Sequence, residues 1–186
     1  VELVFVRGLV MQRAVPRDHI GRSDYGMMAA SPNRVNYAQF DEKMLLRTVD
    51  KISEACGGRL LQLVNYNVEG SQYVVAGHIS CLRALGDVLT ALATSKSTND
   101  VFSETNFTAI INDAVTAATN LFDAYKSATG SIEFELSRGK ATIPLRGIDV
   151  PFHSKYLLGG VPIFRKKLQL QLMADRFTPE RLSRLI

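Results

Sequence analysis

The sequence predicts a mixed α/β chain whose central part is a separate α+β unit. Between Tyr25 and Leu145 the hydrophobic pattern indicates a strand, a helix, two strands, a second helix, a further helix and a last strand. An order in which a helix and then a hairpin follow the first strand is typical of the split βαβ arrangement. We therefore expect a ferredoxin-like βαββαβ subdomain that carries one extra helix.

The first two elements of this unit have clear local signals. The apolar stretch from Tyr25 to Ala30 predicts a strand, because a Ser-Pro-Asn sequence ends it. Asp41 is a suitable N-cap for a helix that ends near Cys56, where Gly57-Gly58 supplies the stop. The expected buried face of this helix consists of residues at helical spacing: Leu45, Val49, Ile52 and Cys56.

A hairpin and two more helices follow. Leu60 to Tyr66 and Gln72 to Ala76 predict two strands joined by a short polar turn. Ser80 is the predicted N-cap of the next helix, and the extra helix is predicted from about Thr105 to Tyr125. One side of the extra helix is expected to be buried: Phe107, Ile111, Ala114, Ala118, Leu121 and Tyr125.

The remaining elements lie nearer the two ends. Val1 to Val6 is apolar enough to form a strand or a buried helix. The alternating stretch Ile132 to Leu136 predicts a half-exposed strand, and Ala141 to Leu145 predicts the strand after it. Tyr156 to Leu172 is expected to be mostly helical, and the tail from Phe177 is short and basic.

The composition is that of a soluble globular chain. Of the 186 residues, 46% are hydrophobic and 22% are charged, and the formal charge of +4 is scattered, which argues only weakly for nucleic acid. Cys56 and Cys81 lack a CxxC spacing and are expected to be reduced, buried thiols of a cytoplasmic protein. No apolar run is long enough to span a bilayer. The start at Val1, without a methionine, suggests a piece of a longer polypeptide.

His153 is the main candidate for catalysis. It follows a β-branched run that closes on Val150-Pro151, and loops at strand ends frequently carry functional groups. An imidazole titrates near neutral pH, so it can act as a general base, although a structural histidine remains the alternative. His19 and His78 have no ligand spacing, so no metal site is expected.

Two further groups have both a binding interpretation and a structural one. Arg7 lies among apolar residues, where a buried guanidinium would grip a ligand carboxylate or form a salt bridge with Asp149 or Glu2. Asn65 and Asn67 could orient a ligand or satisfy the backbone of a turn. The chain has no aromatic RNP-like sequence, which makes RNA binding improbable.

Five motifs occur in order along the chain. They are Arg7-Gly8 with Met11-Gln12, Tyr25-Gly26-Met27-Met28-Ala29, Asn65-Tyr66-Asn67, the strand from Gln72 to Gly77, and Val150-Pro151-Phe152-His153-Ser154. Together they resemble the malonyl-CoA:acyl-carrier-protein acyltransferase family. The residues of these motifs are most similar to those of the malonyl/palmitoyl transferase domain of fungal type I fatty acid synthase β subunits.

The resemblance implies an α/β-hydrolase-like large lobe with a ferredoxin-like small lobe inserted into it. Residues 1–18 would then belong to the large lobe, residues 19–146 to the small subdomain, and residues 147–186 to the return into the large lobe. The implied reaction moves malonyl groups, and also palmitoyl or short acyl groups, from coenzyme A to the phosphopantetheine thiol of an acyl carrier protein through a serine ester.

The resemblance also implies roles for individual residues. His153 matches the catalytic base, and Arg7 matches the arginine that holds the free carboxylate of malonyl. Phe152 matches a position that shapes the acyl pocket. Supporting roles in substrate binding fall to three residues: Met11, Asn65 and Asn67.

One departure from the family pattern concerns the nucleophile. The family's serine lies in a GHSxG elbow, which this sequence does not contain, so the serine is expected just upstream of Val1. No cofactor is expected to be bound covalently; coenzyme A thioesters are substrates. The expected partners are the carrier protein and other domains of a large oligomeric synthase, without nucleic acid or membrane. The alternative is a non-catalytic ferredoxin-like scaffold or carrier-docking module.

Overall fold

The computed structural model describes residues 2–35, 37, 40–95, 103–128 and 134–173, without the side chains of residue 2 and residues 171–173. Within these ranges the chain forms five α-helices and four strands. In chain order they are α1 (Glu2–Arg13), β1 (Tyr25–Ala30), α2 (Glu42–Ala55), β2 (Leu61–Val68), β3 (Gln72–His78), α3 (Ile79–Thr94), α4 (Glu104–Ser127), β4 (Thr142–Pro144) and α5 (Val161–Met173). Short 3-10 helices lie at Pro32–Arg34 and Lys155–Gly160.

The four strands form one sheet in the order β2-β3-β1-β4. Each neighbouring pair is antiparallel, with Met28 of β1 opposite Val75 of β3 on one side and Pro144 of β4 on the other. The fold is therefore a mixture of helices and an antiparallel sheet, which is the α+β class.

The two faces of the sheet are covered differently. Successive strand residues point to opposite faces, so Met28 and Val75 face helices α2, α3 and α4, where the main hydrophobic core lies. Met27 and Val74 face the other way and form a smaller cluster with Ala76. Four side chains from β2 and the segment after β4 pack on this second cluster: Val64, Leu145, Ile148 and Phe152. The candidate site is built on this second face.

Helix α2 has the predicted boundaries. The Asp41 side chain accepts a hydrogen bond of 3.0 Å from the backbone N–H of Met44, which caps the helix. The helix ends before Cys56, and Gly57 and Gly58 follow with φ of +71° and +76°. Cys56 and Cys81 are both buried, free thiols, so the predicted burial is confirmed.

Helix α3 begins two residues earlier than predicted and has a different cap. His78 is the N-cap, and its Nδ1 accepts the backbone N–H of Ser80 at 3.3 Å. The assignment of Ser80 as the cap is therefore wrong. An imidazole nitrogen can accept the same hydrogen bond that a hydroxyl oxygen would, and β3 leads directly into the helix at this point.

The extra helix α4 is found, but its buried face is rotated from the prediction. Phe107 and Ile111 are buried as expected, whereas Leu121 is 44% exposed. Val115 and Phe122 are buried in addition. A helix has 3.6 residues per turn, so over 24 residues two adjacent faces can each be assigned as the apolar one. Packing against α2 and α3 decides which of these faces is buried.

The predictions for the N-terminal stretch and for the strand from Ile132 need correction. Val1 lies outside the described residues, and Val4 and Phe5 are 74% and 68% exposed on helix α1, so the stretch is neither a strand nor a buried helix. Residues 134–136 form no strand; there Phe134 packs edge-on against Phe122 with ring centres 5.8 Å apart. Residues 132–133 and the predicted basic tail from Phe177 lie outside the described residues.

The later strand and the last helix agree with the sequence. The strand predicted from Ala141 to Leu145 is found as the shorter β4, and the region from Tyr156 is helical as far as Met173. Among the described helices, none is both long enough and apolar enough to cross a membrane.

A close backbone approach at Gly77 in the sheet gives a test of the fold. A Cβ at Gly77 would lie 2.5 Å from the backbone oxygen of Leu60, which accepts a 2.7 Å hydrogen bond from the N–H of His78. Gly77→Ala should therefore lower the free energy of unfolding by about 2 kcal/mol or more, because backbone atoms must move. Urea denaturation of the purified chain measures this loss.

Gly86→Ala is the matched control for this substitution. Its Cβ would meet only Met28 and Thr142 side-chain atoms at 3.7 Å, an ordinary contact, and alanine favours the helix in which Gly86 lies. Stability should be unchanged or higher. Equal losses for both variants would show that the approach of Leu60 to Gly77 is not the constraint described above.

Candidate functional site

The segment after β4 crosses the second face of the sheet. The N–H of Leu145 donates to the Met27 oxygen at 3.0 Å, and the chain then turns at Gly147, whose φ is +77°. The N–H of Ile148 closes this turn on the Leu145 oxygen at 3.3 Å. Val150 is completely buried, so the segment is anchored immediately before the candidate histidine.

His153 lies in a tight turn that exposes its imidazole. The N–H and the hydroxyl of Ser154 both donate to the Pro151 oxygen, at 3.3 and 2.6 Å. Pro151 and Ser154 are buried, whereas His153 is exposed. Its φ of +62° lies in the left-handed region, which costs a non-glycine residue about 1 kcal/mol or more. Strained residues of this kind cluster at functional sites.

Two contacts hold the flanks of this turn. Phe152 points back to the sheet and packs on the cluster of Met27 and Ala76. The backbone N–H of Lys155 donates to the side-chain oxygen of Gln62 on β2 at 3.0 Å. The turn that carries the imidazole is therefore fixed on both sides.

Helix α1 packs against α5 and the 3-10 helix that follows His153. A Cβ at Gly160 would lie 3.0 Å from Cγ1 of Val10, which shows how closely these elements approach. Arg7 and Met11 line a groove of about 160 Å³ at this junction, together with Val10, Leu157, Gly160, Val161 and Phe164. The groove brings Arg7 and Met11 together, but His153 is not among its lining residues.

The expectation that Arg7 is buried is wrong, because its side chain is exposed on α1. Asp149, one of the two carboxylates considered as its partner, is instead bound to Arg17. The side chain of the other, Glu2, lies outside the described residues. The exposure of Arg7 reflects the position of α1, of which little is covered by the rest of the described chain.

Sequence reasoning missed Arg17, which joins the two parts of the candidate site. Its guanidinium donates to both carboxylate oxygens of Asp149, with 3.0 Å between Nη2 and Oδ1. It also donates to the side chain of Gln12 on α1 and, at 2.7 Å, to the Gly21 oxygen. The hydrogen bonds to Asp149 and its negative charge raise the pKa of Arg17 above its ordinary value. No local signal marks a pair that is 132 residues apart in sequence.

Asn65 and Asn67 contact each other at the exposed end of β2. Nδ2 of Asn65 donates to Oδ1 of Asn67 at 2.7 Å, and the Asn67 amide reaches the Gln72 side chain at 3.5 Å. These bonds join side chains along the hairpin, and neither amide lines the groove of Arg7. The pair is therefore preorganised, but it lies apart from that groove.

A larger cleft, of about 470 Å³, is lined in part by the segment after β4. Pro144 to Asp149 form one wall, and residues from β1, α4 and the 134–136 segment form the others. Arg22 lies over the ring of Tyr125 at this cleft, 5.9 Å from its centre. Sequence reasoning missed this cleft because its walls come from five segments that are distant in sequence.

His78 contrasts with His153 because it is buried. Its Nδ1 is 2.8 Å from the hydroxyl of Ser80, and its ring packs edge-on against Phe122 and Tyr25, with ring centres 4.7 and 5.8 Å away. Burial, followed by the positive charge of Arg59, lowers the pKa of His78 to about 4. His78 is therefore a neutral structural residue near pH 7. In the described ranges no three His, Cys, Asp or Glu side chains group as a metal site would require.

The sequence is similar to those of fungal fatty acid synthases. It is 47% identical over 172 residues to the fatty acid synthase subunit β of Schizosaccharomyces pombe, covering 90% of this chain and 8% of that protein. It is 46% identical over 183 residues to fatty acid synthase 2 of Mycosarcoma maydis, covering 98% and 5%. For the Saccharomyces cerevisiae subunit β the identity is 39%, covering 98% and 9%. The chain thus spans less than a tenth of each of these relatives.

No protein-family model matches the chain. Among solved structures, an acyl carrier protein S-malonyltransferase from Vibrio cholerae matches with a TM-score of 0.45 and 18% identity, covering 90% of this chain and 35% of that one. The similarity to the fungal proteins extends over nearly the whole of this chain. The chain is therefore similar to one segment of fungal fatty acid synthases.

The buried His78 predicts a pH dependence of stability. Because its pKa in the folded chain lies near 4 rather than 6.5, the unfolded chain binds a proton more readily between these values. Stability should therefore fall as the pH is lowered from about 6.5 towards 4. His78→Asn keeps an N-cap acceptor and removes this contribution. Urea denaturation from about pH 7 to about pH 5 should show a smaller loss for the variant.

Val88→Ala serves as the control, because Val88 is buried in the main core further along α3 and does not titrate. It should lower stability by a similar amount at each pH. Parallel pH profiles for wild type and His78→Asn would contradict the burial of an uncharged imidazole at this position.

Proposed function

We propose that this chain is part of an acyltransferase domain that acts in fatty acid biosynthesis. The domain would move malonyl groups, and also palmitoyl or short acyl groups, between coenzyme A and the phosphopantetheine thiol of an acyl carrier protein. One observation carries the proposal. The exposed His153 turn is followed directly by the 3-10 helix on which the Arg7-bearing helix α1 packs. The relationship to fungal fatty acid synthases supports the same conclusion.

We also propose the division of the chain into residues 1–18, 19–146 and 147–186. The middle part would be a ferredoxin-like subdomain, and the outer two parts would belong to an α/β-hydrolase-like lobe. The strand order β2-β3-β1-β4, with α2 and α3 on one face, supports the ferredoxin-like assignment. The packing of α1 on α5 supports the joining of the two outer parts.

His153 would be the general base in a two-step exchange. Its imidazole would take the proton of a serine hydroxyl, outside residues 1–186, as the serine oxygen bonds to the thioester carbon. When the carbon–sulfur bond breaks, the imidazolium would return the proton to the thiolate of coenzyme A. The phosphopantetheine thiol would then give its proton to His153 and attack the ester, and the serine oxygen would leave with the proton.

Arg7 would hold the free carboxylate of malonyl. A guanidinium presents a planar pair of donors that fits a carboxylate, and here it lies at an otherwise apolar groove. An uncharged acyl chain would use the apolar lining instead. Phe152 would limit the acyl pocket beside His153, and Met11 would line the groove. Asn65 and Asn67 would have a supporting role in substrate binding outside the groove.

The proposed setting is a large cytoplasmic multienzyme of several subunits. Acyl-CoA and the carrier protein would be the exchanging partners, and neither nucleic acid nor membrane would take part. No covalently bound cofactor is required, since the coenzyme A thioester supplies the activated acyl group. The relatives named as fatty acid synthase subunits support this setting.

The test uses the longer polypeptide in which this chain occurs. After brief mixing with malonyl-CoA or palmitoyl-CoA, acid quenching and digestion, mass spectrometry should find the acyl group on a serine upstream of residue 1. His153→Ala should lower loading with either substrate at least about a hundredfold. His153→Gly, which also relieves the strained backbone, should be equally inactive. Absence of any serine adduct would favour a non-catalytic scaffold or carrier-docking module.

Arg7→Ala separates carboxylate binding from the rest of the site. It should lower malonyl loading about a hundredfold and palmitoyl loading only slightly, since the lost charge-assisted hydrogen bonds are worth about 3 kcal/mol. Arg13→Ala, on the same helix but outside the groove, should affect neither. Equal losses for both substrates would falsify the carboxylate role.

A further inference from the structure

The ion pair of Arg17 and Asp149 connects the two segments that carry the proposed site. Arg17 follows the end of α1 by four residues, and Asp149 precedes His153 by four residues. The guanidinium contacts both carboxylate oxygens, which is the bidentate geometry that fixes orientation as well as distance. The side chains of Arg17 and Asp149 are 27% and 41% exposed, so the pair lies at the surface.

Both terminal nitrogens of Arg17 donate two hydrogen bonds each. Nη1 donates to Asp149 and to the Gly21 oxygen at 2.7 Å, and Nη2 donates to Asp149 and to Gln12. Four acceptors from three separate segments therefore surround one planar group. A lysine, with a single nitrogen on a flexible chain, cannot reproduce this arrangement.

The His153 turn needs such support. Its left-handed backbone is unfavourable, and a strained conformation persists only where surrounding contacts determine it. On the sheet side, Val150 and Phe152 provide those contacts. On the side of α1, the bidentate bond to Asp149 joins the segment to the end of the helix that carries Arg7.

We propose that Arg17 and Asp149 are positioning residues that hold the His153 turn in register with helix α1. Neither touches the substrate in this proposal, which rests on the proposed acyl transfer for its kinetic consequence. Breaking the pair should let the 147–154 segment fluctuate relative to α1. The imidazole would then spend less time where it can reach the serine and the acyl group, because small misplacements of catalytic groups are costly.

The kinetic test compares Arg17→Met, Arg17→Lys and Asp149→Asn in the longer polypeptide. Each should lower kcat for malonyl transfer about tenfold with little change in KM, since Arg7 and the groove are untouched. Arg17→Lys should not rescue the rate, because it keeps the charge and loses the fork. The double variant Arg17→Met/Asp149→Asn should be no worse than either single one, because both remove the same contact.

Arg47→Met is the matched control. Arg47 forms an exposed ion pair with Glu104 that joins α2 to α4, on the helical side of the sheet. It should leave kcat unchanged, while its effect on the thermal unfolding midpoint should resemble that of Arg17→Met. Wild-type kcat in the Arg17 and Asp149 variants, or additive losses in the double variant, would overturn the proposal.

Amide hydrogen exchange tests the positioning role independently of activity. In Arg17→Met, peptides covering residues 147–154 should exchange faster than in the wild type, and those covering α2 and α3 should not. Arg47→Met should leave residues 147–154 unaffected. Unchanged exchange at this segment would overturn the positioning role. A wild type that forms no acyl-serine would count against the proposed function alone, since the exchange result still decides the role of the pair.

Discussion

The packing of the segment after β4 on the second face of the sheet is the interaction on which the candidate site depends. Val150 is fully buried, and Ile148 and Phe152 pack on the small cluster of Met27, Val74 and Ala76. Apolar burial, worth about 25 cal/mol per Å², anchors this segment although it has neither helix nor strand of its own. His153 follows immediately, so its position is set by the sheet.

The two faces of the sheet contribute differently to the protein. The face covered by α2, α3 and α4 holds the main core, and His78 is buried and neutral near pH 7 at the end of β3. Within the described residues, an irregular segment packs on the opposite face, and there a histidine is exposed in a strained turn. His78 is therefore a buried structural residue, whereas His153 is exposed to solvent, and its proposed role in proton transfer requires that exposure.

Polar contacts join the elements that the hydrophobic core does not reach. Helix α1 has large exposed apolar side chains, and within the described part of the chain it packs mainly on α5 and the 3-10 helix before it. Arg17 adds a directional link from the end of α1 to Asp149. A surface ion pair contributes little to global stability, so its effect is expected on local geometry.

The sequence by itself determined the elements that have local signals. The cap at Asp41, the stop at Gly57-Gly58 and the hairpin follow from short-range preferences, and the order of the motifs indicated the similarity to fungal fatty acid synthases. Only the tertiary structure decided that His78 rather than Ser80 caps α3 and that Arg7 is exposed. It also paired Asp149 with Arg17. Such contacts depend on which distant surfaces meet, which neither the periodicity of a helix nor the chemistry of a residue encodes.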